Sequence, residues 1–365
     1  LHDQNPIQAD HPGLQPPVVF RAVVRQTIDV NTVDWLQDTM LPKFSSKAFL
    51  APMAGVSDPA LRLQCKRMGA GLVVTEFTSI HSIIAKERQL KGQHMQQTIQ
   101  EFIEFSEEER PLSVQLFGSD LAALEAAAKI VEPHFDIIDY NMGCPAPHIT
   151  QQMAGGALLQ EANLTRQILS TLVNAVKKPV TLKIRSGVTD ASRFLFRDIA
   201  GIAEDEGIEM ITFHPRTVSQ GYSGDADWTL IKELKQASNL PIVGNGDVTT
   251  PQEAKAMLDE TGCDYIMIGR GAMGNPFLFE QINDYLKTGS YHEYSFNDRL
   301  DSFFDYLRLT SRYGIKFANI KGQAMRFTRG MRNGSGLRAK ITLSKSLPEL
   351  EQVMRDGHRA ASSGA

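Results

Sequence analysis

The chain predicts an α/β fold, a (β/α)8 TIM barrel followed by a small C-terminal helical domain, from three observations. Between Lys47 and Arg270, eight short apolar runs rich in Val, Ile, Leu and Phe alternate with longer helix-like segments. That is the rhythm of βα units around a buried parallel sheet. Nearly every run ends in a residue that a plain core would not choose: Met53, Glu76, Gln115, Asn141, Lys183, His214, Asn245 and Arg270. In a barrel these ends meet on one face, where sites are assembled from several strands. The seventh and eighth runs are each followed by glycines, in GNGD (244–247) and GRGAMGNP (269–276).

In order, the runs are KAFLAPM (47–53), GLVVTEF (71–77), LSVQLFG (112–118), DIIDYNM (136–142), VTLKIRS (180–186), MITFHPR (210–216), PIVGNGD (241–247) and YIMIGRG (265–271). The segments between them carry helix punctuation. SDLAALEAAAKIVEP (119–133) opens on a Ser-Asp pair suited to an N-cap, and TTPQEAKAMLDETG (249–262) has Thr and Pro at its start and Gly at its end. A doubly wound open sheet is the alternative topology. The barrel is expected over residues 46–290 and the helical domain over 291–365. Residues 1–45 form an extension with a Pro-rich start and a short helix expected over NTVDWLQDTML (31–41).

A length of 365 residues suits one large domain with an appendage. Three scattered cysteines, Cys65, Cys144 and Cys263, are too few for a disulfide framework or a thiolate metal cage, and the His residues are dispersed. No metal is expected, and the setting is a reducing cytoplasm. No apolar run approaches the roughly 20 residues of a membrane span, and LHDQNPIQADHPG lacks the layout of a signal peptide. A net charge of −4 argues against an overall basic nucleic-acid binder. Yet Tyr306–Pro348 contains no Asp or Glu and carries Arg308, Arg312, Lys316, Lys321, Arg326, Arg329, Arg332, Arg338, Lys340 and Lys345. A basic surface therefore rides on an acidic protein.

The glycines after the seventh and eighth runs lie where barrels hold a phosphate on backbone N–H groups, and Arg270 adds charge and a fork of donors. No G-x-G-x-x-G opens a helix after a strand, so a Rossmann nicotinamide domain is not indicated. Cys144, between Gly143 and Pro145, is displayed on a loop at the same face. Read alone, it is packing, a nucleophile, a metal ligand or an acid. An ordinary thiol, with a pKa near ~8.5, is protonated at neutral pH and can donate a proton. A thiolate nucleophile would need a cationic neighbour, for which His148 and Arg185 are the candidates. Cys65 and Cys263 read as packing.

APMAGVSD (51–58), VQLFG (114–118), NMGCPAP (141–147), KIRSGV (183–188), FHPRTVSQGYSGDADW (213–228), GNGD and GRGAMGNP together resemble the tRNA-dihydrouridine synthases, in order from about Leu50 to Phe279. The basic tail, with QAMRFTRGM (323–331) and LRAKI (337–341), is similar to the family's C-terminal helical domain. The resemblance implies an FMN-dependent, NADPH-driven reduction of uridine to 5,6-dihydrouridine in tRNA. Hydride would pass from the flavin N5 to C6, and Cys144 would protonate C5. It further implies that Pro52, Met53 and Ala54 lie along the isoalloxazine. Gln115, Lys183 and His214 would meet its polar edge and ribityl region, and Asn245, Gly246, Asp247, Gly269 and Arg270 would hold the phosphate end. Asn141 would orient the base, with Arg185, Arg216, Arg326 and Arg329 on the substrate side; Arg216 and Tyr222 would touch RNA or order their loop.

A monomer acting on tRNA, with no membrane partner, is the expectation. An FMN enzyme for free pyrimidines and a non-catalytic RNA-binding barrel are the competing functions. Two positions depart from the family pattern: His148 replaces a usual Lys or Arg, and Pro215 a usual Gly.

Overall fold

The apolar runs pair in sequence order. In the computed structural model, which describes residues 39–89, 102–331 and 334–362, the strands are β1 (Ala48–Leu50), β2 (Leu72–Val74), β3 (Thr78–Ser79), β4 (Leu112–Phe117), β5 (Ile137–Met142), β6 (Val180–Arg185), β7 (Met210–His214), β8 (Ile242–Asn245) and β9 (Tyr265–Ile268). All pairings are parallel. Phe49 stands opposite both Leu72 of β2 and Met267 of β9, and Val73 of β2 opposite Leu112 of β4, so the sheet closes on itself. The result is the expected TIM barrel of eight principal strands; closure leaves no open sheet.

The second run departs from the reading as one strand. It breaks after Val74, where the Thr75 and Thr78 hydroxyls both donate to the Glu76 carbonyl, and resumes as β3 beside β4. Those local bonds compete with the ladder.

Alternate residues of each strand face the barrel axis. Phe49, Leu72, Val74, Ile137, Met210, Val243 and Met267 fill one end of it, packed with Leu41. Two residues further along the same faces come Asp139, Thr212 and Asn245, and then Asn141 and His214. The interior thus passes from apolar to polar toward the C-terminal ends of the strands.

Helices α1 (Pro59–Arg67), α2 (Ile80–Gln89), α3 (Leu121–Val131), the short α4 (Pro147–Thr150), α5 (Ala162–Ala175), α6 (Phe196–Asp205), α7 (Trp228–Ala237), α8 (Pro251–Thr261) and α9 (Leu278–Thr288) surround the barrel. The expected caps form: Asp120 accepts the Ala123 N–H at 2.9 Å, Thr250 and Glu253 make a capping box, and Gly262 ends α8 with φ of 71°. Four further helices follow: α10 (Phe296–Thr310), α11 (Phe317–Phe327), α12 (Gly334–Leu343) and α13 (Leu347–Ser362). They belong to the same compact unit as the barrel, Met40–Ala365. Gln323 donates to the Val56 carbonyl at 2.6 Å, Tyr306 to Asp58 at 2.9 Å, and Gln64 to the Ser302 carbonyl at 2.7 Å.

The helix expected over 31–41 lies outside the described residues except for Thr39–Leu41, which are not helical, and Arg332 also lies outside them. Among the described residues no helix is long and apolar enough to cross a membrane.

Candidate active site

The polar ends of the strands open into a cavity of about 1380 Å3. Lys183 of β6 projects into it and donates to Asn245 Oδ1 at 2.8 Å, while the Asn245 amide nitrogen donates to the Met267 carbonyl at 2.7 Å. Burial, and then the neighbouring Arg185, pull the Lys183 pKa down to about 8. His214, at the end of β7, is held well below its ordinary range by burial and by the cations Lys183, Arg185, Arg216 and Arg270. It is neutral, and its Nε2 accepts from Arg216 Nη1 at 3.2 Å.

Cys144 lies on the loop leaving β5. Asn141 Oδ1 accepts both the Gly143 N–H at 3.1 Å and the Cys144 N–H at 2.9 Å, which folds the loop back over the strand end. Behind it, Gly155 has φ of 59°, and a Cβ there would meet the Cys144 carbonyl at 2.9 Å. Only glycine fits both the backbone and the space. Half-buried, the Cys144 thiol has its pKa raised by burial, which outweighs the Ala146 N–H and the charges of Arg185 and Lys183. The thiol is therefore protonated at neutral pH. Arg185 is close enough to act on it but does not make it a thiolate, and no effect of His148 is felt there.

Beneath the loop runs a buried amide chain. Asp139 accepts from Thr181 Oγ1 and Gln115 Nε2, each at 2.6 Å, and Gln115 Oε1 accepts from Asn141 Nδ2 at 2.7 Å. Burial, set against those two donors and Lys183, pushes the Asp139 pKa up to about 6.

At the other end, Gly246 (φ 138°) and Asp247 (φ 62°) turn the chain after β8. A Cβ on Gly246 would meet Ala226 Cβ at 2.7 Å. Asp247 bridges Arg216 (2.7 Å) and Arg270 (2.7 Å) and accepts the Ala226 N–H at 2.7 Å. Burial would raise its pKa, but these partners prevail and hold it below the usual carboxylate range. Tyr222, 60% exposed, lies with Arg185 at 5.6 Å and Arg270 at 5.0 Å from its ring centroid.

The structure brings Pro52, Met53, Ala54, Asn141, Cys144, Lys183, Arg185, His214, Asn245, Gly246, Asp247, Gly269, Arg270 and Arg329 to this one cavity. Three sequence candidates lie off its wall. Gln115 is fully buried in the amide chain. Arg216, 1% exposed, is turned inward onto Asp247 and the Ser223 and Gly224 carbonyls. Arg326 is half-buried in α11, with Nη1 enclosed and unpartnered. Arg185 reaches the wall but spends its donors on the Gly143, Thr217 and Gly221 carbonyls, tying two loops together. Cys65 and Cys263 are buried packing residues.

Sequence reading gave no role to Asp139 or Arg299. An acid in the middle of an apolar run was a usable signal for the first; nothing local pointed to the second. Among the described residues no three His, Cys, Asp or Glu side chains form a group that could hold a metal ion.

The family model for dihydrouridine synthase (Dus) matches residues 49–342. tRNA-dihydrouridine synthase B of Pectobacterium carotovorum is 42% identical over 250 residues, 68% of this chain and 74% of the relative. The protein of the same name from Escherichia coli (strain K12) is 41% identical over 247 residues, 67% of this chain and 73% of the relative. Among solved structures, histamine dehydrogenase from Rhizobium sp. 4-9 superposes with a TM-score of 0.53 at 16% identity, over 69% of this chain and 47% of that one. A 2-naphthoyl-CoA reductase gives 0.52 at 14%, over 68% and 50%. These structures share the fold.

Proposed function

The chain belongs to the dihydrouridine synthase family, and from that membership and the cavity we propose an FMN-dependent enzyme that reduces uridine to 5,6-dihydrouridine in tRNA at the expense of NADPH. The observation that carries the reading is a protonated, half-buried Cys144 in the same cavity as Lys183 and a glycine-and-arginine end suited to phosphate.

The residues present fit a flavin. Pro52, Met53 and Ala54 offer an uncharged wall for a flat ring. Lys183 supplies positive charge, and Gly246 and Gly269 with Arg270 offer backbone donors and a guanidinium where a phosphate would lie. The chemistry a bound FMN supplies is transfer of the reducing equivalents of NADPH to C6 of the uracil ring as hydride.

The chain's own work is to hold and deliver a proton. Cys144 keeps its proton at neutral pH and passes it from Sγ to C5, and the thiolate is reprotonated from solvent. Asn141 fixes the direction from which the thiol approaches, through the two loop N–H groups it accepts. Arg185 holds the Cys144 loop against the Tyr222 loop, acting on position more than on charge. The target uridine lies in a folded RNA and must be extruded, at a cost of a few kcal/mol; phosphate contacts from the basic helices offset that cost.

Purified protein is expected to be yellow, to oxidise NADPH and to form dihydrouridine in a tRNA transcript. Cys144→Ala is expected to retain flavin and its reduction by NADPH while losing turnover at least 100-fold, as befits loss of a general acid worth roughly 10²–10⁴. A colourless protein that cannot be reconstituted with FMN overturns the reading.

A further inference from the structure

Arg299 lies in the first turn of α10 and lines the catalytic cavity, half-buried. Among the described residues no side chain or carbonyl accepts from its guanidinium. Burial alone lowers its pKa; no acid is close enough to oppose it. Of the acids beside it in the helix, Asp298 accepts the Ser295 N–H at 2.6 Å and Asp301 lies 3.2 Å from His358. Among the described residues the fully buried arginines are answered: Arg62 by Glu109 and Arg216 by Asp247, both at 2.7 Å, and Arg185 by the Gly143, Thr217 and Gly221 carbonyls.

Taking a cation out of water without a partner is costly, and a fold that does so at a cavity wall suits an anionic ligand. The charges on the wall agree. Lys183, Arg185, Arg270, Arg299 and Arg329 face only Glu76 and Asp247, and Asp247 is already bridged by two arginines. In the function proposed above, Arg270 serves the cofactor's phosphate. Arg299 enters instead from α10, and Arg329 from the turn that follows α11.

We infer that Arg299 is a phosphate-binding residue of the catalytic cavity, taking a phosphodiester of the RNA whose uridine enters. A guanidinium fork matches two phosphate oxygens. This rests on the tRNA reading, and it adds a contact from outside the acid-free stretch of the tail.

The test uses the flavin-loaded protein and its Arg299→Ala, Arg299→Met and Arg299→Lys variants. Three quantities are measured: tRNA affinity across a salt series, FMN affinity of the stripped protein, and NADPH oxidation without RNA. Ala and Met are expected to weaken tRNA binding about tenfold and to flatten the salt dependence by about one unit of slope. Lys recovers part of the affinity. FMN affinity and NADPH oxidation stay unchanged, and the melting temperature does not fall, since no internal ion pair is lost.

Weaker FMN binding with intact tRNA binding assigns the anion to the cofactor's phosphate and overturns the inference. Unchanged tRNA affinity overturns it as well, and so does a lower melting temperature in the Met variant, which marks a structural arginine. RNA affinity is read apart from turnover. A wild type that binds tRNA but forms no dihydrouridine sinks the functional reading and leaves Arg299 judged on binding alone.

Discussion

Lys183 is poised to lose its charge just above neutral pH. Burial and Arg185 bring its pKa to about 8, against roughly 10.4 in an unfolded chain. If its charge supports reduction, turnover falls as pH rises through about 8. Lys183→Met is low throughout and shows no such limb; a pH–rate profile of both proteins checks this. The folded state binds fewer protons than the unfolded one between those two values, so this residue makes the protein more stable as pH climbs through that window. Activity and stability therefore move in opposite directions there. At this scale the sequence was informative where a polar residue closes an apolar run, as Lys183, His214 and Asn245 do. It was less informative about Arg216, read as touching RNA or ordering its loop. The guanidinium holds the Ser223 and Gly224 carbonyls of that loop, drawn inward by Asp247, and a partner 31 positions on leaves no local pattern.

Asp58 does two jobs at the boundary between elements. It caps α1 through the Leu61 N–H at 3.0 Å, and it accepts from Tyr306 of α10 at 2.9 Å and Gln323 of α11 at 3.2 Å. Asp58→Ala is expected to lower unfolding free energy by about 2–3 kcal/mol, a cap plus two net hydrogen bonds. Tyr306→Phe, which removes one of those bonds, costs about 1 kcal/mol. Urea titrations of the two variants check the order. The capping role follows from an Asp before Pro59 in SDPALR. The second role needs partners some 250 residues away. The break in the second run was hidden for a similar reason: GLVVTEF reads as one apolar, β-branched strand, and the Thr75 and Thr78 hydroxyls turn to the Glu76 carbonyl where it breaks.

Over the whole molecule, the barrel was legible because the apolar runs and their polar ends repeat a single design eight times. Each repetition reinforces the rest. The acid-free stretch was legible as charge but not as surface. Arg308, Arg312, Lys316, Arg329, Lys340 and Lys345 are exposed, whereas Lys321 and Arg338 bond the Ser344 and Thr328 carbonyls. Reversing Arg312, Lys316 and Lys340 together is therefore expected to weaken tRNA binding more than tenfold and to reduce its salt dependence. NADPH oxidation should be untouched. Equal turnover on tRNA by the triple variant and the wild type would remove the helices from substrate recognition.

The turn after β1 joins these scales. Met53 accepts the Val56 and Ser57 N–H groups at 3.0 and 2.9 Å, its side chain lines the cavity, and the Val56 carbonyl is held by Gln323 of α11. The helices proposed to grip RNA and the wall proposed to face the flavin thus meet in one short turn, Met53–Ser57. Any strengthening of one grip by the other must be reciprocal, by the same factor in both directions. RNA on the helices and flavin in the cavity are therefore expected to change each other's affinity by one common factor, read by measuring FMN release with and without tRNA.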